Sequence, residues 1–130
     1  MLFFYLLYNT GMESTILIIL ALLQVKHWYI DFVNQSMEEV DHKGKYGHWL
    51  GIKHSLKQGI GTAVCFIPFC TLEWSLTAGL IDFVLHYHID WTKMNKGNRD
   101  ITTPQFWNHL GLDQMAHQLT YLFLIAISLF

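Results

Sequence analysis

Charged residues are scarce in this sequence. Asp, Glu, Lys and Arg make up 14% of its 130 residues, whereas a typical soluble domain contains roughly 25%. The formal net charge of −2 lacks the basic excess that nucleic-acid-binding proteins show, so nucleic acid is excluded as a partner. Hydrophobic residues make up 52% of the chain. At this length, residues 1–130 are predicted to form a single domain.

Cysteine and proline are also rare, with two of each. Cys65 and Cys70 lie in an apolar segment without a partner motif. Two buried free thiols are therefore expected, since a disulfide framework would need more cysteines. Histidine is abundant by contrast: eight His stand against eight Lys plus Arg. Because histidine is the commonest metal ligand and a frequent proton shuttle, the position of these residues is central to function.

Four largely apolar segments predict four helices. Each has one half that is apolar all round, whereas a soluble bundle helix has a charged face opposite its apolar stripe. The predicted fold is all-α, a four-helix transmembrane bundle of two tandem hairpins at about 13–70 and 71–130, with residues 1–12 as an extension. Whether translation starts at Met1 or Met12 is left open. The helices are expected at about 13–34, 48–68, 74–92 and 104–130, where Thr103 precedes Pro104 at a first helical position.

The polar half of every predicted helix falls at the same end of the bundle. Two charged segments, residues 35–47 and 93–100, are expected to be solvated loops at that end. Most basic residues lie in or beside these loops, so the positive-inside rule places the loops in the cytoplasm and both termini outside. The predicted location is therefore the inner (cytoplasmic) membrane, in a multi-pass arrangement.

Histidine and aspartate occur four residues apart in three of the helices. This spacing puts both side chains on one helix face, one turn apart, where they can hold one metal ion. With a lone histidine on the second helix, the candidate ligands are His27, Asp31, His54, His86, Asp90, Asp113 and His117. The competing interpretation is an interhelical hydrogen-bond cluster that only locks the bundle. Asp82 is expected either to support these ligands or to make a separate buried contact.

Nitrogen and oxygen ligands without thiolate suit a divalent transition metal, zinc first, with manganese, iron or nickel as alternatives. Seven candidates leave open one metal ion or two. Asp31, Asp90 or Asp113 could act as a general base where not ligating. A site near the membrane surface favours a lipid or lipid-linked substrate, and Lys53, Lys57 and Lys93 are predicted to hold an anionic head group.

These motifs resemble a family of small bacterial and phage membrane proteins known as domain of unknown function 3307. The resemblance covers about residues 15–125 and implies a site similar to that of predicted inner-membrane metal-dependent hydrolases. Two other functions stay open: a metal or proton transport protein, and a small phage membrane interaction protein without catalysis. The matching residues are His27, Asp31, Phe32 and Gln35; His54; His86, Asp90, Trp91 and Lys93; and Asp113, Gln114 and His117.

Overall fold

The computed structural model describes residues 11–129, and the predicted extension lies almost wholly outside this range. A π-helical segment, Tyr29–Val33, continues the first helix directly. No strand occurs within residues 11–129, which confirms the all-helical prediction. The five α-helices of this range are α1 (Met12–Trp28), α2 (Met37–His42), α3 (Trp49–Phe66), α4 (Leu72–Lys96) and α5 (Pro104–Leu129).

The four long helices form an antiparallel bundle. Helix α1 packs on α3 and α5, and α4 packs on the same two helices. The α3–α4 interface is the most extensive, and backbones touch at Gly59 and Gly79. A Cβ atom on either glycine would lie 2.6 Å from the carbonyl oxygen of the other, so any side chain at these positions would push the helices apart.

Local capping signals explain where the helices begin. The hydroxyl of Thr71 accepts the backbone N–H of Trp74 at the start of α4, and Thr103 accepts that of Phe106 at the start of α5. Both oxygens satisfy helix N–H groups that have no partner within the helix. Helix α4 is longer than predicted because it continues through the expected polar stop to Lys96.

The prediction that residues 35–47 form a solvated loop is wrong in part. Helix α2 forms there, with a capping box in which Ser36 and Glu39 bond each other's backbone N–H. Glu39 and Lys43 are 2% and 4% exposed. The Ser-x-x-Glu spacing was a readable start signal, but the burial depends on contacts with other helices.

The polarity of the buried side chains differs between the two ends of the bundle. In the half remote from α2, an apolar core is built from Ile19, Leu23, Phe66, Ala78, Tyr121, Leu124 and Ile125. In the half beside α2, the buried side chains are mostly polar or charged. The outer surface is apolar instead, and large side chains such as Leu17, Val64 and Leu80 are more than half exposed.

Within the described residues, one helical stretch is long and apolar enough to cross a membrane, Met12–Val33. Length and composition alone are weak grounds for a membrane span, because a buried core helix or a signal sequence can share them. The four-span topology predicted from the sequence therefore stays a prediction.

Candidate metal centre

The seven predicted ligands lie together in the polar half of the bundle. They come from α1 with its π-helical extension, α3, α4 and α5, and each side chain is at least nine-tenths buried. Helical periodicity brings His86 and Asp90 onto one face of α4, with 3.3 Å between His86 Nε2 and Asp90 Oδ2. Convergence of all four helices on this pair makes it the centre of the cluster.

Three further contacts define the cluster's geometry. His86 Nε2 lies 3.5 Å from Asp31 Oδ1, and His117 Nε2 lies 3.4 Å from Asp90 Oδ1. His54 Nε2 lies 2.9 Å from Asp31 Oδ1, within hydrogen-bonding distance. The imidazole rings of His86 and His117 stack with centroids 4.0 Å apart. Ring nitrogens and carboxylate oxygens therefore converge on a common space.

Several separations in the cluster are close to those of a tetrahedral metal site. Asp31, His86, Asp90 and His117 each offer one ligand atom, and these atoms all lie within 4.8 Å of one another. Tetrahedral zinc with bonds of about 2.0–2.1 Å needs ligand atoms about 3.3–3.4 Å apart. Three separations within the group are 3.3–3.5 Å, with Asp90 contributing Oδ2 toward His86 and Oδ1 toward His117. His27, His86 and His117 form a second, overlapping group of the same kind.

Several buried polar atoms of the cluster have no hydrogen-bond partner in the described part of the chain and are therefore available to contact a cation. Within residues 11–129, neither carboxylate oxygen of Asp90 makes a hydrogen bond, and the same holds for Asp113 Oδ1 and His117 Nε2. Buried polar atoms without partners are costly, and a buried carboxylate more so. Lys43 Nζ lies 2.9 Å from Asp90 Oδ2 as an ion pair, which offsets part of this charge. The donor set therefore fits a divalent metal.

The π-helical segment positions Asp31. The backbone N–H of Asn34 bonds the carbonyl of Tyr29, five residues earlier, so this turn is wider than an α-helical one. Gln58 on α3 donates a side-chain hydrogen bond of 2.7 Å to Asp31 Oδ1. Such turns are frequent at functional sites, but no residue pattern in the sequence indicated this one.

Two side chains to which the sequence analysis gave no role contact His27. Tyr121 OH lies 2.8 Å from His27 Nδ1, and Gln114 Oε1 lies 2.9 Å from Nε2. Gln114 belongs to the recognised motif, so its contact could have been anticipated. Tyr121 stands in an apolar stretch, where only a polar side chain facing the bundle would have indicated a role.

Asp82 is not among these ligands but pairs with a buried lysine. Lys26 Nζ lies 3.1 Å from Asp82 Oδ2, whose second donor is the Thr62 hydroxyl at 2.6 Å. The lysine stem crosses Gly61, where a Cβ would lie 2.7 Å from Lys26 Cγ. A charged residue inside an apolar helix was the signal for this pair, and Lys26 is a buried charged residue that the sequence analysis overlooked.

Two of the three lysines predicted to hold an anionic head group point elsewhere. Lys57 Nζ lies 3.0 Å from Glu39 and Lys53 Nζ 3.7 Å from the same carboxylate. Burial raises the pKa of Glu39, but hydrogen bonds from Lys57 and the Ser36 backbone outweigh it, so its pKa is lowered overall. Lys93 does reach the cluster, 2.9 Å from Asp113 Oδ2.

Two further histidines, His88 and His109, lie outside the cluster. His88 is exposed and its Nδ1 bonds the carbonyl of Val84 on its own helix. His109 Nδ1 accepts the backbone N–H of Asn98. A cavity of about 380 Å³, called the inner cavity below, lies between α2, the α4–α5 loop and the cluster, and its lining contains Asp31, Lys43 and Lys93.

Comparison with known proteins gives one result. No curated protein and no solved structure matches the chain. A family described as protein of unknown function (DUF3307) matches residues 18–130. This span includes every member of the buried cluster. The chain therefore belongs to the DUF3307 family of proteins of unknown function.

Proposed function

We propose that this chain is an inner-membrane protein that binds a divalent transition metal, zinc first, in its buried His/Asp cluster and uses it for hydrolysis. The observation that carries the proposal is the four-residue ligand group around His86 and Asp90, whose ligand atoms lie within 4.8 Å of one another and in which Asp90 Oδ1 has no hydrogen-bond partner within residues 11–129. An interhelical lock would be expected to provide hydrogen-bond donors for Asp90 Oδ1 and Asp113 Oδ1, and among the residues that the structure describes these two oxygens have none.

Membrane insertion is supported by the distribution of polarity between surface and interior. Soluble proteins bury apolar side chains and rarely bury charges, whereas this bundle exposes large apolar side chains on all four long helices. Lipid is the solvent in which such a surface is stable. The loops between α1 and α3 and between α4 and α5 would face the cytoplasm, with the start of α1 and the end of α5 outside.

Hydrolysis is favoured because a carboxylate, Asp113, lies beside the ligand group without belonging to it. With three of the four ligands on the metal and the fourth position open to water, as in catalytic zinc sites, a divalent metal would lower the pKa of that water to about 7 and polarise a carbonyl or phosphoryl oxygen. Asp113 lies outside the four-residue group, yet its Oδ1 is 3.5 Å from His117 Nε2. We assign Asp113 as the general base and Asp31 and Asp90 as ligands. A membrane lipid or lipid-linked molecule is the substrate that this location can supply.

Transport is less well supported, because the polar interior ends inside the bundle. Beyond Lys26 and Asp82, the apolar core of Ile19, Leu23 and Phe66 fills the space between the helices. An ion crossing this region would lose its hydration without gaining ligands. A site open from one side suits a substrate that enters and leaves by the same route.

Elemental analysis of the detergent-purified full chain tests the metal site. We expect at least one equivalent of bound zinc or another transition metal, and its loss in His86→Ala and Asp90→Ala. His88→Ala is the matched control on the same helix and should keep the metal. An apo wild type, or equal metal content in His86→Ala and His88→Ala, would overturn the proposal.

The hydrolytic role needs a separate measurement. Asp113→Asn should retain the metal while lipid-ester or phosphoester hydrolysis falls at least 100-fold, the low end for general-base catalysis. A chelator should abolish hydrolysis in the wild type and added zinc restore it. Full activity in Asp113→Asn would remove this residue from the mechanism.

A further inference from the structure

A lateral groove runs between α4 and α5 on the outside of the bundle. It has a volume of about 460 Å³, within the range of about 300–1,000 Å³ for small-molecule sites. Its apolar walls include Leu85, Ile89, Leu112 and Ala116, and its other end contains Lys93, Lys96 and His109. The groove is thus apolar along one part and cationic at the end nearer the α4–α5 loop.

The inner cavity lies next to this groove. It is lined by three cationic side chains, Lys43, Lys93 and Arg99, and by Asp31 of the metal centre. Lys93 and His109 line both spaces, so the groove and the cavity meet at these two side chains. Lys93 Nζ is also 2.9 Å from Asp113, which connects both spaces to the metal centre.

We propose that the two spaces together bind one phosphate-bearing lipid, with its phosphate in the inner cavity and a hydrocarbon chain in the lateral groove. The inference rests on the proposed function and names the substrate class of that site. A phosphate monoester carries a charge of about −1.5 to −2 near neutral pH, which complements Lys43, Lys93 and Arg99. Lys43 and Lys93 also contact carboxylates of the cluster at 2.9 Å, so the phosphate would share these two cations with them, whereas Arg99 is more than half exposed.

The exterior position of the groove explains how such a molecule enters. Leu112 on one wall is 52% exposed, so the groove opens to the surroundings of the bundle, which are lipid under the proposed topology. The hydrocarbon chain of a lipid could therefore move sideways from the bilayer into the space between α4 and α5. Its head group would pass Lys96 and reach Lys93, where Asp113 and Asp90 lie within 4.0 Å of the lysine Nζ.

Binding measurements on the detergent-solubilised full chain test this inference. The probe is lysophosphatidic acid, compared with a monoacylglycerol of the same chain length and with inorganic phosphate. We expect lysophosphatidic acid to bind at least tenfold more tightly than either. Equal affinity for the monoacylglycerol would show that the phosphate makes no contact of its own. Equal affinity for inorganic phosphate would show that the hydrocarbon chain does not bind in the groove.

Matched substitutions on α5 test whether the hydrocarbon chain of the lipid binds in the lateral groove. Ala116→Trp fills the groove and should weaken lysophosphatidic acid binding at least tenfold, with binding of inorganic phosphate unchanged. Ala126→Trp places the same side chain on an exposed part of the helix outside the groove and should change nothing. Leu112→Gln, at an already exposed position, provides a milder second variant and should weaken binding several-fold. Unchanged affinity in both groove variants would contradict the assignment.

Metal content separates this inference from the proposed function. Bound zinc without a preference for lysophosphatidic acid would refute the lipid site and leave the metal centre intact. Preferential lipid binding without bound metal would refute the metal-dependent function and leave the groove as a phospholipid-binding site. Zinc retained in Ala116→Trp shows that the variant is folded.

Discussion

The two halves of the bundle share the same helices and the same apolar exterior but differ in what they bury. The half remote from α2 packs Leu23, Phe66 and Leu124 with no exposed surface, the usual source of folding free energy. The half beside α2 buries His86, Asp90 and His117 instead, which costs desolvation free energy. The comparison indicates that the apolar half stabilises the fold, whereas the polar half is costly to bury and contains the candidate metal site.

The boundary between the halves is formed by residues that serve both. The Tyr121 ring belongs to the apolar core, while its hydroxyl bonds His27. Lys26 donates to that hydroxyl and to Gln58 Oε1, and Gln58 in turn donates to Asp31. Lys26 therefore connects the apolar core to the candidate metal centre through a continuous series of hydrogen bonds, and its ion-pair partner Asp82 lies at the same level.

Removing the Lys26–Asp82 ion pair at this boundary should have the largest effect on stability. Lys26→Met leaves Asp82 as a buried charge without its ion-pair partner, which should cost about 3–5 kcal/mol of unfolding free energy. The double variant Lys26→Met/Asp82→Leu should recover most of the loss, because both charges are gone. Denaturant unfolding in mixed micelles provides the measurement. A single variant as stable as the wild type would mean that the ion pair does not hold the boundary.

A truncation confined to the apolar half should affect stability alone. Leu124→Ala creates a cavity in the core and should cost about 2–5 kcal/mol, while the amount of bound metal stays at the wild-type level. Leu122→Ala is the control, since Leu122 is 49% exposed on the same helix. Loss of metal in Leu124→Ala at a temperature where the protein is folded would show that the halves are not separable.

The α3–α4 contact should respond to one added methyl group. Gly79→Ala places a Cβ 2.6 Å from Gly59 O and should destabilise the bundle by about 1–3 kcal/mol. Gly111→Ala has nothing within 4 Å of the new atom and should instead stabilise α5 by roughly 0.5–1 kcal/mol. Opposite shifts of the unfolding midpoint are expected, and equal shifts would contradict the close approach.

The smallest effect is expected at Glu39, outside the bundle interior. Because its folded pKa is lowered, its contribution is present above the unfolded pKa of about 4.3 and is lost as pH falls through the folded value. Glu39→Gln should cost about 0.5–1 kcal/mol at neutral pH and remove this dependence below about pH 5. Glu38→Gln, at an exposed position, should match the wild type at every pH.

Much of the candidate site could be predicted from local spacing. Histidine and aspartate four residues apart share a helix face whatever the tertiary structure, so the pairs at His86 and Asp90 and at Asp113 and His117 were readable. Thr103 before Pro104 likewise predicted the start of α5. The wider turn at Tyr29–Val33 could not be predicted, because it depends on how α1 packs against its neighbours.

The sequence by itself determined an all-helical chain with its polar residues at one end, since both follow from composition and helical periodicity. Only the tertiary structure decided which side chains meet across helices: Lys26 with Asp82, Lys43 with Asp90, and Tyr121 with His27. These contacts depend on the rotation of each helix about its axis and on the distance between axes. Packing sets both quantities, here through contacts as local as Gly59 against Gly79.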